Sequence, residues 1–506
     1  MKEKKVICTN DKENKHKEME IRKLKLYKMK KKGFNFPNHF KPNNTIKNIK
    51  KKYKKLTKEI IKELAIFVHL AGRIIFKRIM GKASFFTIQD ASYNIQIYLK
   101  KNILLHDNYE EHIYNLDIGD FIGIQGQLFK TKTDELTVRC THLILLNKSI
   151  HPLPDKFHGL INKEIKYRKR YIDLISSATQ FRIFEKRFKI IELIRKFMIK
   201  NKFLEVETPM LHNIPGGANA RPFTTHHNNL NSKMYLRISP ELYLKKLIIG
   251  GFNKIFEMNR NFRNEGVSSK HNPEFTMIEI YQTYTSYKDM MILIEKLFKY
   301  VTLKVLKNNI ITFNNNNFDI SKNFEVLTMK NAIIKFNSQI TLQDLTNYVT
   351  LTNILNRFEI KVKKEWTLEK IQSKLFEVDT EKKIINPTFI TEYPIDISPL
   401  ARKSDSNNHL TDRFELFIGG MEIANGFSEL NDYEDQKKRF ESQLKIKNFK
   451  DENAKFFYDQ EYITALEYGL PPTSGLGIGI DRFVMLLTNK INIRDVILFP
   501  TLKKSE

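Results

Sequence analysis

The stretch Phe256–Tyr281, FEMNRNFRNEGVSSKHNPEFTMIEIY, decides the fold of the C-terminal part of the chain. It reads as strand, polar loop, strand. In the second strand Phe275, Met277, Glu279 and Tyr281 share one face by period-two alternation, and Thr276, Ile278 and Ile280 share the other. The second set reads as core. The first projects a ring, a carboxylate and a phenol into one space, which suits a binding surface. Arg263, Glu265, Lys270, His271 and Asn272 flank the loop. A guanidinium here can hold phosphate oxygens bidentately. Taken alone, a charged hairpin tip without a ligand would look the same.

Two later segments extend this pattern. In Arg413–Glu429, RFELFIGGMEIANGFSE, Gly419 and Gly420 mark a turn between two strands. Glu415, Glu422 and Glu429 lie among apolar residues there. Carboxylates on buried strands need partners. Magnesium with nucleotide phosphates, a cationic substrate, or structural ion pairs would each supply them. Strict alternation sets Asn425, Phe427 and Glu429 on one face and Glu422 on the other. A bulge near Gly426 would reunite them. In Gly475–Arg482, GLGIGIDR, three glycines alternate with Leu476, Ile478 and Ile480. One strand face is therefore bare, open to a ligand or to another backbone. Asp481 then suits a helix N-cap, with Arg482 in the first turn. The dinucleotide fingerprint and the phosphate-cradling GxxxxGK[ST] loop are both absent from the sequence.

Outward from these segments, the chain divides into four. Residues 1–63 form a basic, partly helical extension that reads as a solvated leader or as a helix gripping RNA backbone. Residues 64–147 carry about five short strands, among them Phe85–Ile88, Ile95–Leu99, Phe121–Phe129 and Leu136–Cys140, which suit a small OB-fold barrel. At least one of Phe85 and Phe86 must point inward, because neighbours on a strand face opposite ways. Residues 148–178 read as a linker with Pro152 and Pro154. Residues 179–506 read as one large α+β domain. It opens with an amphipathic helix whose apolar face is Phe181, Phe184, Phe188, Ile191, Ile194 and Phe197.

Composition sets outer bounds. The chain has 506 residues and a formal net charge of +29, from 86 basic and 57 acidic residues. That charge fits a polyanionic partner, although Lys- and Asn-rich drift in coding composition would also produce it. Two cysteines, Cys8 and Cys140, exclude a disulfide framework and fit a reducing cytoplasm. No apolar run approaches the ~20 residues of a membrane helix, and the N-terminus lacks a secretory core.

The segments above, with VETPML at Val206–Leu211, resemble the class II aminoacyl-tRNA synthetases, and within them the bacterial-type lysyl-tRNA synthetases. PGGANARPF, RISPELYLKKL, FRNEG, HNPEFTM, NGFSELND and LPPTSGLGIGIDR carry the resemblance, with GFNFPNHF around Phe36 in the leader. It spans about Leu64 to Leu502.

The resemblance implies a class II catalytic domain with a mixed, mainly antiparallel sheet flanked by helices, following an OB-fold anticodon-binding barrel. It implies an ATP site of Arg263, Glu265, His271, Asn272, Phe275, Glu415, Glu422 and Arg482, with Arg263 on the α-phosphate and Arg482 on the γ-phosphate. Phe275 would stack on adenine, and Glu415 and Glu422 would ligate Mg2+. It implies a lysine pocket of Gly217, Glu241, Glu279, Tyr281, Asn425, Phe427 and Glu429. Phe85, Gln96 and Glu135 would read a U-rich anticodon, and the segment around Pro209 would form a homodimer interface. The partners implied are ATP, lysine and its tRNA, with no membrane. Two alternatives are a ligase that lysylates a protein and a non-catalytic RNA-binding relative. The barrel disfavours the first, and the intact set Arg263, Glu265, Glu415, Glu422 and Arg482 disfavours the second.

Overall fold

A computed structural model describes residues 2–91, 93–104, 109–154, 162–447 and 458–504, with backbone alone at 2–12 and 445–447. Two compact units divide at Arg182/Ile183, inside the helix Ala178–Lys200.

In the first unit five strands close into a barrel: β1 (Phe67–Met80), β2 (Ala83–Asp90), β3 (Tyr93–Lys100), β4 (Phe121–Lys130) and β5 (Leu136–Asn147), in the order β1-β2-β3-β5-β4. Alternation does the sorting: Phe86, Ile88, Ile95, Ile97 and Val138 are fully enclosed, or nearly so, while Phe85, Gln96 and Tyr98 face outward. The basic extension is not a free leader. Its helices Ile46–Tyr53 and Lys58–Leu64 are capped by Thr45 and Thr57, and Ile46, Ile49 and Ile61 enter the barrel core. Arg22, in the helix Lys2–Lys31, is buried and donates to the Ile118 and Ser149 carbonyls. Lysine-rich sequence concealed this, because the few apolar residues that anchor the segment are widely spaced.

The second unit is built on an eight-stranded sheet: β6 (Leu204–Glu205), β7 (Lys254–Phe262), β8 (Glu274–Thr283), β9 (Glu325–Thr328), β10 (Thr388–Pro394), β11 (Leu410–Ile418), β12 (Met421–Ser428) and β13 (Thr473–Gly479). Their order is β9-β10-β11-β12-β13-β8-β7-β6. The two outermost pairings, β9 with β10 and β7 with β6, are parallel, and the rest are antiparallel. The expected α+β architecture, barrel plus mixed sheet, is borne out. Helices Ala178–Lys200, Tyr287–Leu306 and Ile480–Thr488 cover one sheet face around Ile278, Ile280, Leu476 and Ile478. The opposite face carries Glu279, Tyr281, Asn425 and Phe427.

The long helix buries Phe184 and Ile194 of the expected face, and Ile191 and Phe197 pack against the core, but its buried stripe also takes in Ile183, Arg187, Ile190, Leu193 and Met198, and Phe188 is 53% exposed. The charge in that stripe is the reason the periodicity misled. Arg187 pairs with Asp481 at 2.6 Å, donates to the Val496 carbonyl and reaches the Thr276 hydroxyl. Asp481 also accepts the Thr276 N–H at 2.8 Å. It is therefore not the N-cap that its residue type suits. Gly479 occupies that position, and Asp481 turns inward to join helix, strand and sheet.

Removing one partner of such a buried pair strands the other charge. Arg187→Met should therefore cost the second unit about 3–5 kcal/mol. Denaturant unfolding followed at Trp366, the sole tryptophan, would measure this, and a loss under ~1 kcal/mol would refute it.

Candidate active site

Strands β8, β12 and β13 lie side by side, and a cavity of about 410 Å³ opens on their polar face. All of the expected ATP- and lysine-site residues except Glu415 line it. Glu415 is set just behind, buried, with hydrogen bonds from Tyr393 Oη at 2.9 Å and Arg413 Nη2 at 2.5 Å.

Glu422 reaches this face through a bulge. Leu416 pairs with Ala424, but Phe417 pairs with Glu422, so Ile423 is an extra residue in β12. The inserted residue flips Glu422 onto the side of Asn425 and Phe427. The bulge thus lies at Ile423 and not near Gly426. Its mark in the sequence is the adjacent pair Ile423–Ala424, both buried.

On the loop side, Arg482 gathers the groups. Its Nη1 donates to the Glu422 carbonyl at 2.6 Å and the Glu422 carboxylate at 3.2 Å, and its Nη2 to His271 Nε2 at 3.0 Å. His271 must accept there, so its proton sits on Nδ1, facing Ser268 Oγ at 2.9 Å. Burial, and then Arg482, lower the His271 pKa and favour this neutral form. Arg263 lies 5.1 Å from the Phe275 ring, and its buried Nε has no hydrogen-bond partner. Asn272 is engaged by the backbone, donating to the Glu274 carbonyl and accepting from Thr501 N–H. Glu265 is exposed.

The deep end is crowded with carboxylates. Glu241, Glu279 and Glu429 are all buried. Glu279 accepts from Ser239 Oγ at 2.7 Å and Tyr281 Oη at 3.1 Å. Burial, and then Glu241, push the Glu279 carboxyl up to about 7. Gly217, at φ +83, sits where a Cβ would press on Glu241 and Ser239 at 3.1 Å. A Cβ on Gly475 would meet Glu429 Oε1 at 2.1 Å and the Tyr281 ring at 2.7 Å. The bare face of β13 thus receives the pocket's own side chains.

Several residues escaped the sequence reading. Arg413 donates to Asn425 Oδ1, Ser398 Oγ and Glu415. Lys245, fully buried, pairs with Glu241 and Glu429. Its only mark in the sequence is its place one turn after Glu241, beside Lys246, on a helix whose remaining residues are largely apolar. Glu381, just after a π-helical turn at Phe376–Thr380, is pushed up to about 8 by burial and by Glu415 and Glu422.

Residues 162–503 match the family described as tRNA synthetases class II (D, K and N), and residues 68–146 match the OB-fold nucleic acid binding domain. A lysine–tRNA ligase from Buchnera aphidicola subsp. Acyrthosiphon pisum is 59% identical over 488 residues, covering 96% of each chain. One from Wigglesworthia glossinidia brevipalpis is 53% identical, covering 97% of this chain and 99% of its own. One from Pectobacterium carotovorum subsp. carotovorum is 51% identical over 96% of each. The chain belongs to the lysine–tRNA ligases of class II. Membership in this ligase family gives the grouping of arginines, carboxylates and a stackable ring its context: the family joins an amino acid to tRNA, and each of these groups suits a nucleotide or an amino acid.

On the barrel, Phe85 packs on Tyr98 at 5.1 Å, and Tyr98 on Phe129 at 6.1 Å. Arg139 lies over the Phe129 ring at 5.0 Å. Gln96 Oε1 accepts from Thr137 Oγ1 at 2.9 Å, and Glu135 is exposed just before β5. Phe86, the neighbour of Phe85, is the core residue of the pair.

In this ligase Gly475→Ala should displace Glu429 and Tyr281 together. The KM for lysine in ATP–pyrophosphate exchange should rise more than ~10-fold, as for a lost charged contact, with a much smaller change for ATP. An unchanged lysine KM would show that the face tolerates a methyl group.

Proposed function

We propose that the chain activates lysine with ATP to lysyl-adenylate and pyrophosphate, then transfers lysine to the 3′ end of its tRNA with release of AMP. The observation that carries this reading is the pairing, in one cavity, of a phosphate-suited end at Arg263 and Arg482 with a deep end of buried carboxylates at Glu241, Glu279 and Glu429.

The lysine carboxylate attacks the α-phosphorus, so no protein nucleophile is needed. Catalysis is positioning together with charge neutralisation. Arg263 holds the α-phosphate with its unpartnered Nε available, and Arg482 the γ-phosphate. Phe275 stacks on adenine, while Glu265, His271 and Asn272 hold the nucleotide. Glu241 and Glu429 take the side-chain ammonium of lysine. Glu279, Tyr281, Asn425, Phe427 and Gly217 shape the rest of its pocket.

Glu415 and Glu422 fit Mg2+. Burial raises the Glu415 carboxyl to about 6, Arg413 opposing and Glu422 adding to the rise, so a hard cation would relieve a real cost. Among the described residues no three metal-ligating side chains converge. One or two carboxylates plus substrate phosphates are the usual magnesium set. Bound there, the ion would supply charge neutralisation at the phosphates.

Phe85, Gln96 and Glu135 read the anticodon, with Phe85 stacking a base. A homodimer through the Val206–Leu211 segment is supported by the exposed Leu204 and Leu211. No described helix is long and apolar enough to cross a membrane, and the buried free thiol of Cys140 suits a reducing cytoplasm.

ATP–pyrophosphate exchange with a panel of amino acids tests the whole reading. Lysine should drive exchange; exchange with aspartate or asparagine alone would overturn it. Glu241→Gln should raise the lysine KM roughly 10- to 150-fold, the worth of a lost charge-assisted contact, and leave the ATP KM nearly unchanged. Equal losses would refute its assignment to the ammonium. Phe85→Ala should lower tRNA aminoacylation efficiency about 5- to 150-fold, the worth of one stacked base, yet spare exchange. A parallel fall in both would make Phe85 structural.

A further inference from the structure

Lys245 lies one turn after Glu241 in the helix Glu241–Ile249, and its side chain is fully buried. Its ammonium pairs with Glu241 Oε1 at 2.7 Å and with the Glu429 carboxylate. The rings of Phe427 and Tyr462 lie 5.4 and 6.0 Å away. Beyond the ion pair, the Glu429 carboxylate has no hydrogen-bond partner. Helix packing does not call for a cation here, since Leu242, Leu244 and Ile248 bury apolar side chains from the same helix. A buried lysine is costly unless something requires it.

We propose that Lys245 is an internal counter-ion of the amino-acid pocket, one that holds Glu241 and Glu429 in place and offsets their negative charge. Two carboxylates and one ammonium leave a single net negative charge, the complement of one substrate ammonium. The proposal rests on the assignment of Glu241 and Glu429 to that ammonium. Lys245 is then a positioning and specificity-determining residue, since it acts on the substrate through the two carboxylates.

Two neighbouring buried carboxylates without a cation share a proton. Lysine would have to displace that proton to bind. Burial raises the Glu429 carboxyl well above the ordinary glutamate value, and the Lys245 ammonium is the leading group that opposes that rise. Burial alone would depress the Lys245 ammonium, but Glu241 and Glu429 outweigh it and hold it well above the ordinary lysine value. The other groups facing this cluster are Glu279 and Tyr281 from β8, Tyr462 from the helix Gln460–Glu467, and Arg237 ahead of the lysine's own helix. Arg237 cannot substitute, because it is paired with Glu257 at 2.6 Å.

The test uses the full-length protein and lysine-dependent ATP–pyrophosphate exchange between about pH 6.5 and 8.5, around the range where such coupled carboxyls titrate. Lys245→Met should raise the lysine KM at least ~10-fold near neutral pH, as for a disturbed buried charge pair, with the ATP KM held within about twofold. The ratio of variant to native lysine KM should shrink as pH rises, because fewer pockets then hold the proton to be displaced. The double variant Lys245→Met/Glu429→Gln restores one net negative charge. It should lose that pH dependence and melt at a higher temperature than the single variant. An unchanged lysine KM, equal rises for lysine and ATP, a ratio flat with pH, or a double variant no more stable than the single would each overturn the proposal. An unchanged lysine KM in Glu241→Gln would instead sink the pocket assignment on which it rests.

Discussion

Like charges cannot be crowded into a low-dielectric cavity unless cations or donors are placed among them. That constraint organises the second unit. Glu241, Glu279, Glu415 and Glu429 are all buried near one sheet face, and each has a dedicated answer. Lys245 serves Glu241 and Glu429. Arg413 and Tyr393 serve Glu415, and Ser239 and Tyr281 serve Glu279. These partners come from helix, strand and loop, so the fold must converge on the cavity for the carboxylates to be tolerated at all.

Backbone devices complete the convergence. The extra residue at Ile423 turns Glu422 to the cavity without disturbing Asn425 and Phe427 beyond it. Gly475 omits a side chain where the Glu429 carboxylate and the Tyr281 ring must sit. On the reverse face, the Arg187–Asp481 pair and the Thr276 N–H bond join helix, strand and sheet. That bond fixes the start of β8, and with it the register of Phe275, Glu279 and Tyr281.

Much of this was legible in sequence because strands sort side chains by simple alternation. The face of Phe275, Glu279 and Tyr281 follows from it directly, as does the rule that one of Phe85 and Phe86 points inward, which the structure shows to be Phe86. Alternation fails where a backbone adds a residue, and Ile423 is such a place; the pattern set Glu422 on the wrong face, and the bulge it suggested near Gly426 lies at Ile423. Hydrophobic periodicity fails where a core position is charged. Arg187 belongs to the buried stripe of its helix, and Phe188 took its place in the pattern. Lys245 was hidden for the same reason, since a lysine beside Lys246 looks solvated until Glu429 arrives from a distant strand. The basic extension misled through composition, as a few scattered residues, among them Arg22, Ile46, Ile49 and Ile61, anchor it to the barrel.

The two ends of the cavity differ in exposure, and this divides their tasks. Glu265 and His271 are exposed, so a nucleotide held there, as proposed, would lie partly in water, where each charge counts for little and several must act together. Glu241, Glu279 and Glu429 are enclosed, so a mismatch of one charge is costly. A ligand with an ammonium at the right depth completes the deep end, and one with a neutral or acidic tip leaves a carboxylate unpaired. On the proposed assignment, discrimination between amino acids belongs to the buried end, while the open end admits a nucleotide and releases pyrophosphate. An enzyme without a covalent nucleophile can rely on this division, because its rate comes from charges already in position when both substrates are bound.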